Sequence, residues 1–289
     1  MTRKVILLSF SFAILLFAWS YHPIAVHRGC SFTAFDIGQG DSLFIRTSDG
    51  QDILIDGGPD DTVVQKLSQA LPPGDRDLEL VVLTHPHADH VNGLVAVTQR
   101  FTVRQALLTD VKFHQGAYAA WLDELTKQHV PEYVAVAGQR YHIGTATLDV
   151  LWPARNLSHD TIEHDNAANG GGVNDSSIVM KLTCDGGQAM LMGDASSDIE
   201  ERILESGADV HAELLKVGHH GSRFSSSVKF LAAVKPIFAV ISDGQGNRYG
   251  HPHPTALLHL ERVGATILRT DQLDDVRLET DGRGGWKRK

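Results

Sequence analysis

Cysteine is scarce. Cys30 and Cys184 are the only two among 289 residues, and no Cys-x-x-Cys pair exists. Zinc-finger and ribbon sites are therefore excluded. The two thiols can pair in an oxidising compartment or remain apart as small buried residues, and the sequence does not decide between these. Basic charge is also short. The 26 Lys and Arg against 35 Asp and Glu leave a formal net charge of −9. That excludes a protein generally coated with cations for nucleic acid, but not a local basic groove. Aromatic residues make up only 7%, which offers few platforms for stacked bases. A phosphate-cradling loop is missing too: Gly38-Gln-Gly-Asp-Ser42 has glycines but lacks the lysine and the following helix. Hydrophobic residues at 42% and charged residues at 21% are ordinary for a globular chain with a sizeable core.

Long apolar runs are absent except at the start. Arg3-Lys4 precedes Val5–Trp19, which is apolar on every face. The run is shorter than the roughly 20 residues of a comfortable membrane span. It reads as a secretory signal peptide or a signal anchor over residues 1–26, with Ala18-Trp19-Ser20 as a passable cleavage site. The positive flank places the remainder outside the cytoplasm, as an exported, periplasmic or extracytoplasmic chain. If the segment stays uncleaved, the cytoplasmic (inner) membrane is a partner. No protein partner is evident.

What the chain does have is a dense cluster of ligands. Thr84-His-Pro-His-Ala-Asp-His90 packs three imidazoles and a carboxylate into six residues. Glu79–Leu83 ahead of it reads as a buried strand, and Val91–Val97 behind it as the start of a helix. Neutral imidazole and carboxylate suit Zn²⁺ and similar ions. The spacing can serve two metals, with His85 and His87 on one and Asp89 and His90 on the other.

Elsewhere strands and helices alternate. Strands are expected at Ser31–Ile37, Leu43–Thr47, Asp52–Ile55, Val103–Leu108, Ala146–Leu151, Ser177–Thr183, Ala189–Met192, Leu214–Val217, Ile237–Ile241 and Val276–Thr280. Helices are expected at Thr62–Leu71, Gly116–His129, Ser196–Glu205, Ser226–Val234 and Thr255–Arg262. Residues 154–174 form a long polar loop holding His159, His164 and Asp165, which read as solvated loop residues. The pattern sets one α/β domain at 30–282, two mixed sheets with helices outside, and a basic, frayed tail at 283–289.

Asp56-Gly-Gly58, the histidine motif, Gly193-Asp194 and Gly218-His-His-Gly-Ser222 occur in an order that resembles metallo-β-lactamase-fold hydrolases. Phe35-Asp-Ile-Gly-Gln-Gly-Asp-Ser42, Leu215-Lys-Val-Gly-His-His-Gly-Ser222 and Asn247-Arg-Tyr-Gly-His-Pro-His-Pro254 resemble, more closely, the hydrolase-like domain of ComEC-type DNA-internalisation competence proteins. The resemblance spans roughly Ser31 to Glu279 and implies a four-layered αββα sandwich behind the N-terminal hydrophobic segment. It implies two divalent ions, zinc or else manganese. Their ligands would be His85, His87, Asp89 and His90, a shared Asp194, and His219 as the late ligand, with His220 exchangeable for it. It also implies Asp56 as an acceptor behind the histidine loop. One departure stands out: Gly172–Ile178 lacks the further histidine that many members give the His85/His87 metal, so that ion should be held more weakly.

Two such ions can bridge a water and lower its pKa, giving a hydroxide nucleophile. Asp89 can orient it, while His220, His251 and His253 are candidates to protonate the leaving group. Lys216 and Arg223 flank the His-His pair and could take up phosphate charge. The expected substrate is a phosphodiester, either single-stranded DNA or a small phosphoester. An amide, lactone or β-lactam is the alternative on the same metals, and a non-catalytic anion-binding module is a third.

Overall fold

A computed structural model describes residues 29–163 and 172–289. The signal or anchor segment at 1–26, and His164 and Asp165, lie outside the described residues.

The first sheet runs, edge to edge, Trp286–Arg288, Val276–Thr280, Ser31–Ala34, Leu43–Arg46, Asp52–Ile55, Leu80–Val82, Ala106–Leu108 and Glu132–Val134. The second runs Arg140–Ile143, Ala146–Trp152, Val179–Cys184, Gly187–Leu191, Leu214–Lys216, Phe238–Ile241 and Thr266–Arg269. Alternation decides which faces turn inward. In Ala146–Trp152, Ala146, Leu148 and Val150 are buried while Thr147 and Asp149 lie partly open. Phe32, Ile45, Ile53 and Leu80 of the first sheet meet Leu148, Met180, Leu182 and Ala189 of the second in one central core. Outside the first sheet pack helices Thr62–Ala70, Ala88–Arg100 and Gly116–Lys127, through Val63, Leu67, Val91, Leu94, Val97 and Trp121. Ser197–Glu205, Val228–Val234 and Pro254–Arg262 cover the second sheet through Ile199, Ile203, Phe230, Leu231 and Leu260. The order is therefore helix, sheet, sheet, helix.

Cys30 and Cys184 are joined as a disulfide, with Cα atoms 5.9 Å apart across 154 residues. The bridge ties the strand following Cys30 in the first sheet to the end of Val179–Cys184 in the second. The basic C-terminus is not frayed. Trp286–Arg288 pairs antiparallel with Val276–Thr280, and Trp286 is buried edge-on to Phe32. One indole entering the core outweighs the solvent preference of the cations around it. The domain thus continues past residue 282. The single strand expected at Val103–Leu108 is split into Thr102–Val103, paired with Asp77–Leu78, and Ala106–Leu108. Inside the long polar loop, Thr161–Ile162 pairs with Lys112–Phe113. Among the described residues no helix is long and apolar enough to cross a membrane.

The parallel strands position the site. Asp52–Ile55, Leu80–Val82 and Ala106–Leu108 run parallel in one sheet; Gly187–Leu191, Leu214–Lys216 and Phe238–Ile241 do so in the other. Their C-terminal ends emerge at a common edge, where loops carry polar side chains without breaking a ladder.

Candidate metal centre

Asp56 follows directly on Asp52–Ile55 in a left-handed conformation, φ 60°, which turns its buried carboxylate beneath the histidine loop. Its Oδ1 accepts the Thr84 amide at 2.8 Å, and its Oδ2 accepts the Thr84 hydroxyl at 2.7 Å and His90 Nδ1 at 2.8 Å. Because the Thr84 hydroxyl proton is directed to Asp56, its lone pair is left for His85 Nδ1, 3.1 Å away. His220 Nδ1 meets the Ser242 carbonyl at 3.0 Å. In all three rings Nδ1 is thus occupied by a protein oxygen, which leaves Nε2 with a lone pair facing the centre.

The helix begins at Ala88 with His87 as its cap, so Asp89 and His90 lie in its first turn rather than on the expected loop. This fixes them more rigidly than a loop would. Asp194 follows Gly193, whose φ of +51° disfavours any side chain and whose Cβ position is crowded by Ser177 and Thr84. The Asp194 amide donates to Ser177 Oγ at 3.0 Å. Asp194 Oδ1 lies 3.6 Å from His90 Nε2, and its Oδ2 lies 3.5 Å from His220 Nε2, 3.8 Å from His219 Nε2 and 3.9 Å from His85 Nε2. Asp89 Oδ2 is 3.5 Å from His220 Nε2. Two donors each about 2.1 Å from a tetrahedral ion stand about 3.4 Å apart, close to these separations and too long for good hydrogen bonds. His90 Nε2, His220 Nε2 and Asp194 Oδ1 are buried without a hydrogen-bond partner. These orphaned atoms fit a divalent cation. His85, His90 and Asp194 form one group able to hold an ion, and Asp89, His90 and His220 form another.

Of the residues singled out in sequence, the structure gathers His85, Asp89, His90, Asp194 and His220 into these groups. His87 stands beside them, its Nδ1 3.1 Å from His85 Nε2. The late position differs from the preferred expectation. His220, not His219, joins Asp89 and His90, while His219 faces Asp194 and lies 3.5 Å from Asn174 Nδ2. Both histidines are left-handed, φ 49° and 52°, and this double turn sends the two rings to different sides. His220 is 1% exposed and spans Ser242 and the centre, so it is not free to protonate a leaving group. His251 lines the cavity with its ring 5.4 Å from His219. His253 lines the same cavity, but its Nδ1 accepts the Thr255 amide and caps the helix Pro254–Arg262. Lys216 does not flank the cavity: it is fully buried, 2.8 Å from Asp41 Oδ2.

That ion pair sits behind the centre. Asp41 Oδ1 is 3.5 Å from His220 Nδ1, and the Asp41 amide donates to the Asp89 carbonyl at 3.2 Å. Gly40, at φ +131°, is there because a Cβ would collide with that same carbonyl. Burial alone would raise the Asp41 pKa, but Lys216 and His220 outweigh it and hold the carboxyl well below its usual range. Burial would likewise depress His90 and His220. Asp194 with Asp56 raises His90, and Asp194 with Asp41 raises His220, each well above an ordinary imidazole. Burial lowers His85 well below that value, and the neighbouring His90 lowers it further. Protons on these rings and a divalent ion between them are alternative ways to balance the same carboxylates.

The centre opens into a cavity of about 520 Å³. Sequence reasoning did not place Gln39, Phe224 or Tyr249 on its wall, nor Asn174 as a neighbour of His219. Gln39, Asn174 and Tyr249 left a signal, through their places in the Phe35–Ser42, Gly172–Ile178 and Asn247–Pro254 stretches; Phe224 left none.

The family model of the Metallo-beta-lactamase superfamily matches residues 35–242. The chain is 30% identical over 283 residues to Competence protein ComA of Neisseria gonorrhoeae, covering 95% of this chain and 36% of that protein. It is 28% identical over 267 residues to ComE operon protein 3 of Bacillus subtilis, covering 86% and 33% respectively. The chain thus spans about a third of the length of these curated relatives. Among solved structures, the metallo-beta-lactamase fold protein YhfI from Bacillus subtilis superposes with a TM-score of 0.58 at 13% identity, covering 88% of this chain and 100% of that one.

Proposed function

This chain belongs to the metallo-beta-lactamase superfamily of hydrolases, and from that premise we propose that it hydrolyses phosphodiesters with two divalent ions, outside the cytoplasm. The observation that carries the reading is the convergence of the unpartnered Nε2 atoms of His90 and His220 on buried Asp194. Asp89, His90, His220 and Asp194 would hold one ion. His85, His87 and Asp194 would hold the other, with His219 and Asn174 bordering its open side. Zinc suits the imidazole-rich set, and manganese the more open half.

Ions bound there would supply an activated water and disperse the charge that builds on a phosphoryl oxygen. The chain's own groups do the rest. Asp56 and Ser242 fix the ring tautomers of His90 and His220. Asp89 has its Oδ2 towards His220 and is only partly exposed, so its other oxygen can orient the attacking water. Arg223 on the cavity wall faces the substrate's negative charge. His251, whose burial beside His220 and His219 lowers its pKa to about 4, is neutral at neutral pH. Its remaining N–H can donate to the leaving oxygen.

A phosphodiester is favoured over an amide or lactam by that cation at the mouth, and it suits the name of the Neisseria relative, a competence protein. Export is supported by the Cys30–Cys184 disulfide, a linkage that persists in oxidising compartments. The direct test is a substrate panel on chain reconstituted with zinc or manganese. Turnover of bis-p-nitrophenyl phosphate and not of nitrocefin is expected; nitrocefin turnover alone would replace the phosphodiester with a β-lactam.

A further inference from the structure

We propose that Tyr249 is a stacking platform for an unpaired nucleobase beside the scissile phosphate, with Arg223 meeting the adjoining backbone charge. This rests on the phosphodiesterase reading and narrows it to nucleotide esters or single-stranded nucleic acid.

Tyr249 is 54% exposed, yet it lines the same cavity as Asp89, Asp194 and His220. Arg248 donates to the Tyr249 hydroxyl at 3.1 Å, and more than half of the tyrosine is still open to a partner at the mouth of the cavity. Its ring lies 6.0 Å from that of His251 at an interplanar angle of 24°, and His251 lies 6.4 Å from His220 at 30°. Roughly parallel rings therefore lead from the centre to the rim.

The loop that carries Tyr249 is built, not loose. Asn247 Nδ2 donates to Asp243 Oδ1, the Gly244 carbonyl and the His251 carbonyl, while its Oδ1 accepts the Tyr249 and His251 amides. Two Nδ2 protons shared among three oxygens, and two amides donating to Oδ1, hold the platform ready, so little entropy is lost when a ligand docks.

Cations accompany the rings. Arg248 Cζ lies 5.1 Å from the Tyr249 ring, and Arg223 Cζ lies 4.6 Å from that of Phe224 on the same cavity. Both guanidinium groups are exposed, and among the described residues neither forms an ion pair with a carboxylate. On a chain of net charge −9, Arg223 on the cavity wall and Arg248 against the rim ring Tyr249 bring positive charge to where a phosphodiester backbone would enter. Aromatic faces beside cations are how proteins hold bases that are free of a duplex. A bare phosphoester would need the cations but not the ring.

The test compares oligothymidylate with an abasic strand of equal length, both phosphorothioate-linked to slow turnover, bound to the metal-loaded full chain and read by fluorescence anisotropy. The base-bearing strand should bind about 10-fold tighter. That ratio should fall to near one in Tyr249→Ala and persist in Tyr249→Phe. Equal affinities in the wild type, or a ratio that survives Tyr249→Ala, would overturn the platform. Competition by thymidine 5′-monophosphate sorts the source. Displacement of the strand assigns the platform to mononucleotide esters, failure to displace assigns it to strands, and both uphold it once the ratio is seen. Hydrolysis of an ordinary oligothymidylate is followed separately. Binding preference without hydrolysis refutes the phosphodiesterase reading and leaves the platform; hydrolysis without preference does the reverse.

Discussion

At the residue scale, Asp56 shows how much of the centre depends on a side chain that never reaches the cavity. It is fully buried and accepts three hydrogen bonds, two from Thr84 and one from His90. Asp56→Asn keeps the shape but places an NH₂ where an acceptor is required. Metal affinity should fall about 10- to 100-fold, read by competition with a chromophoric chelator. Unchanged affinity would remove Asp56 from the site. His251 makes a different kind of claim. If its N–H hydrogen-bonds the leaving oxygen, His251→Ala should slow esters with alkoxide leaving groups about 100-fold and p-nitrophenyl esters far less, since p-nitrophenolate delocalises its charge and needs little such stabilisation. Equal losses on both would assign His251 to binding.

Among elements, the local ones were legible in sequence and the distant pairings were not. His85, Asp89 and His90 could be read because one strand end and one helix start fix all three. Lys216 read as a cation beside the His-His pair that could take up phosphate charge, because nothing local says that its strand meets the distant Asp41 turn in the core. The choice between His219 and His220 hung on two consecutive left-handed residues, a conformation that Gly-His-His-Gly permits but does not announce. Another distant group sits where Leu43–Arg46 and Asp52–Ile55 pair. Burial pushes the Asp52 pKa up to about 8, despite Arg46 at 2.8 Å and with Asp75 and Glu79 adding to the rise. A carboxyl so raised keeps its proton folded but loses it unfolded between about pH 4 and pH 8. The stability it gives is full below about pH 4 and lost as pH rises through about 8, at up to roughly 1.4 kcal/mol per pH unit. Urea midpoints measured from about pH 5 to pH 8 should therefore fall less steeply for Asp52→Asn than for the wild type. Parallel profiles would contradict this.

For the whole molecule, alternating strands and helices announced an α/β chain, and the family resemblance supplied the order of its four layers. The final strand was missed because Trp286 is the only core residue in a stretch of Arg, Lys and Gly. The disulfide was equally hidden, since 154 residues separate its ends. Closing so long a loop should contribute about 3–5 kcal/mol, so replacing both cysteines by serine should lower the urea midpoint accordingly. Free thiols at both positions in chain purified from its native host would instead argue for a reducing compartment. The proposed dinuclear centre would cleave phosphodiesters. Its most direct test is the initial rate of bis-p-nitrophenyl phosphate hydrolysis as zinc or manganese is added stepwise to metal-free chain. The expected rate climbs to a plateau at two ions per chain and vanishes in Asp194→Ala; a plateau at one ion, or no hydrolysis at any loading, would contradict it.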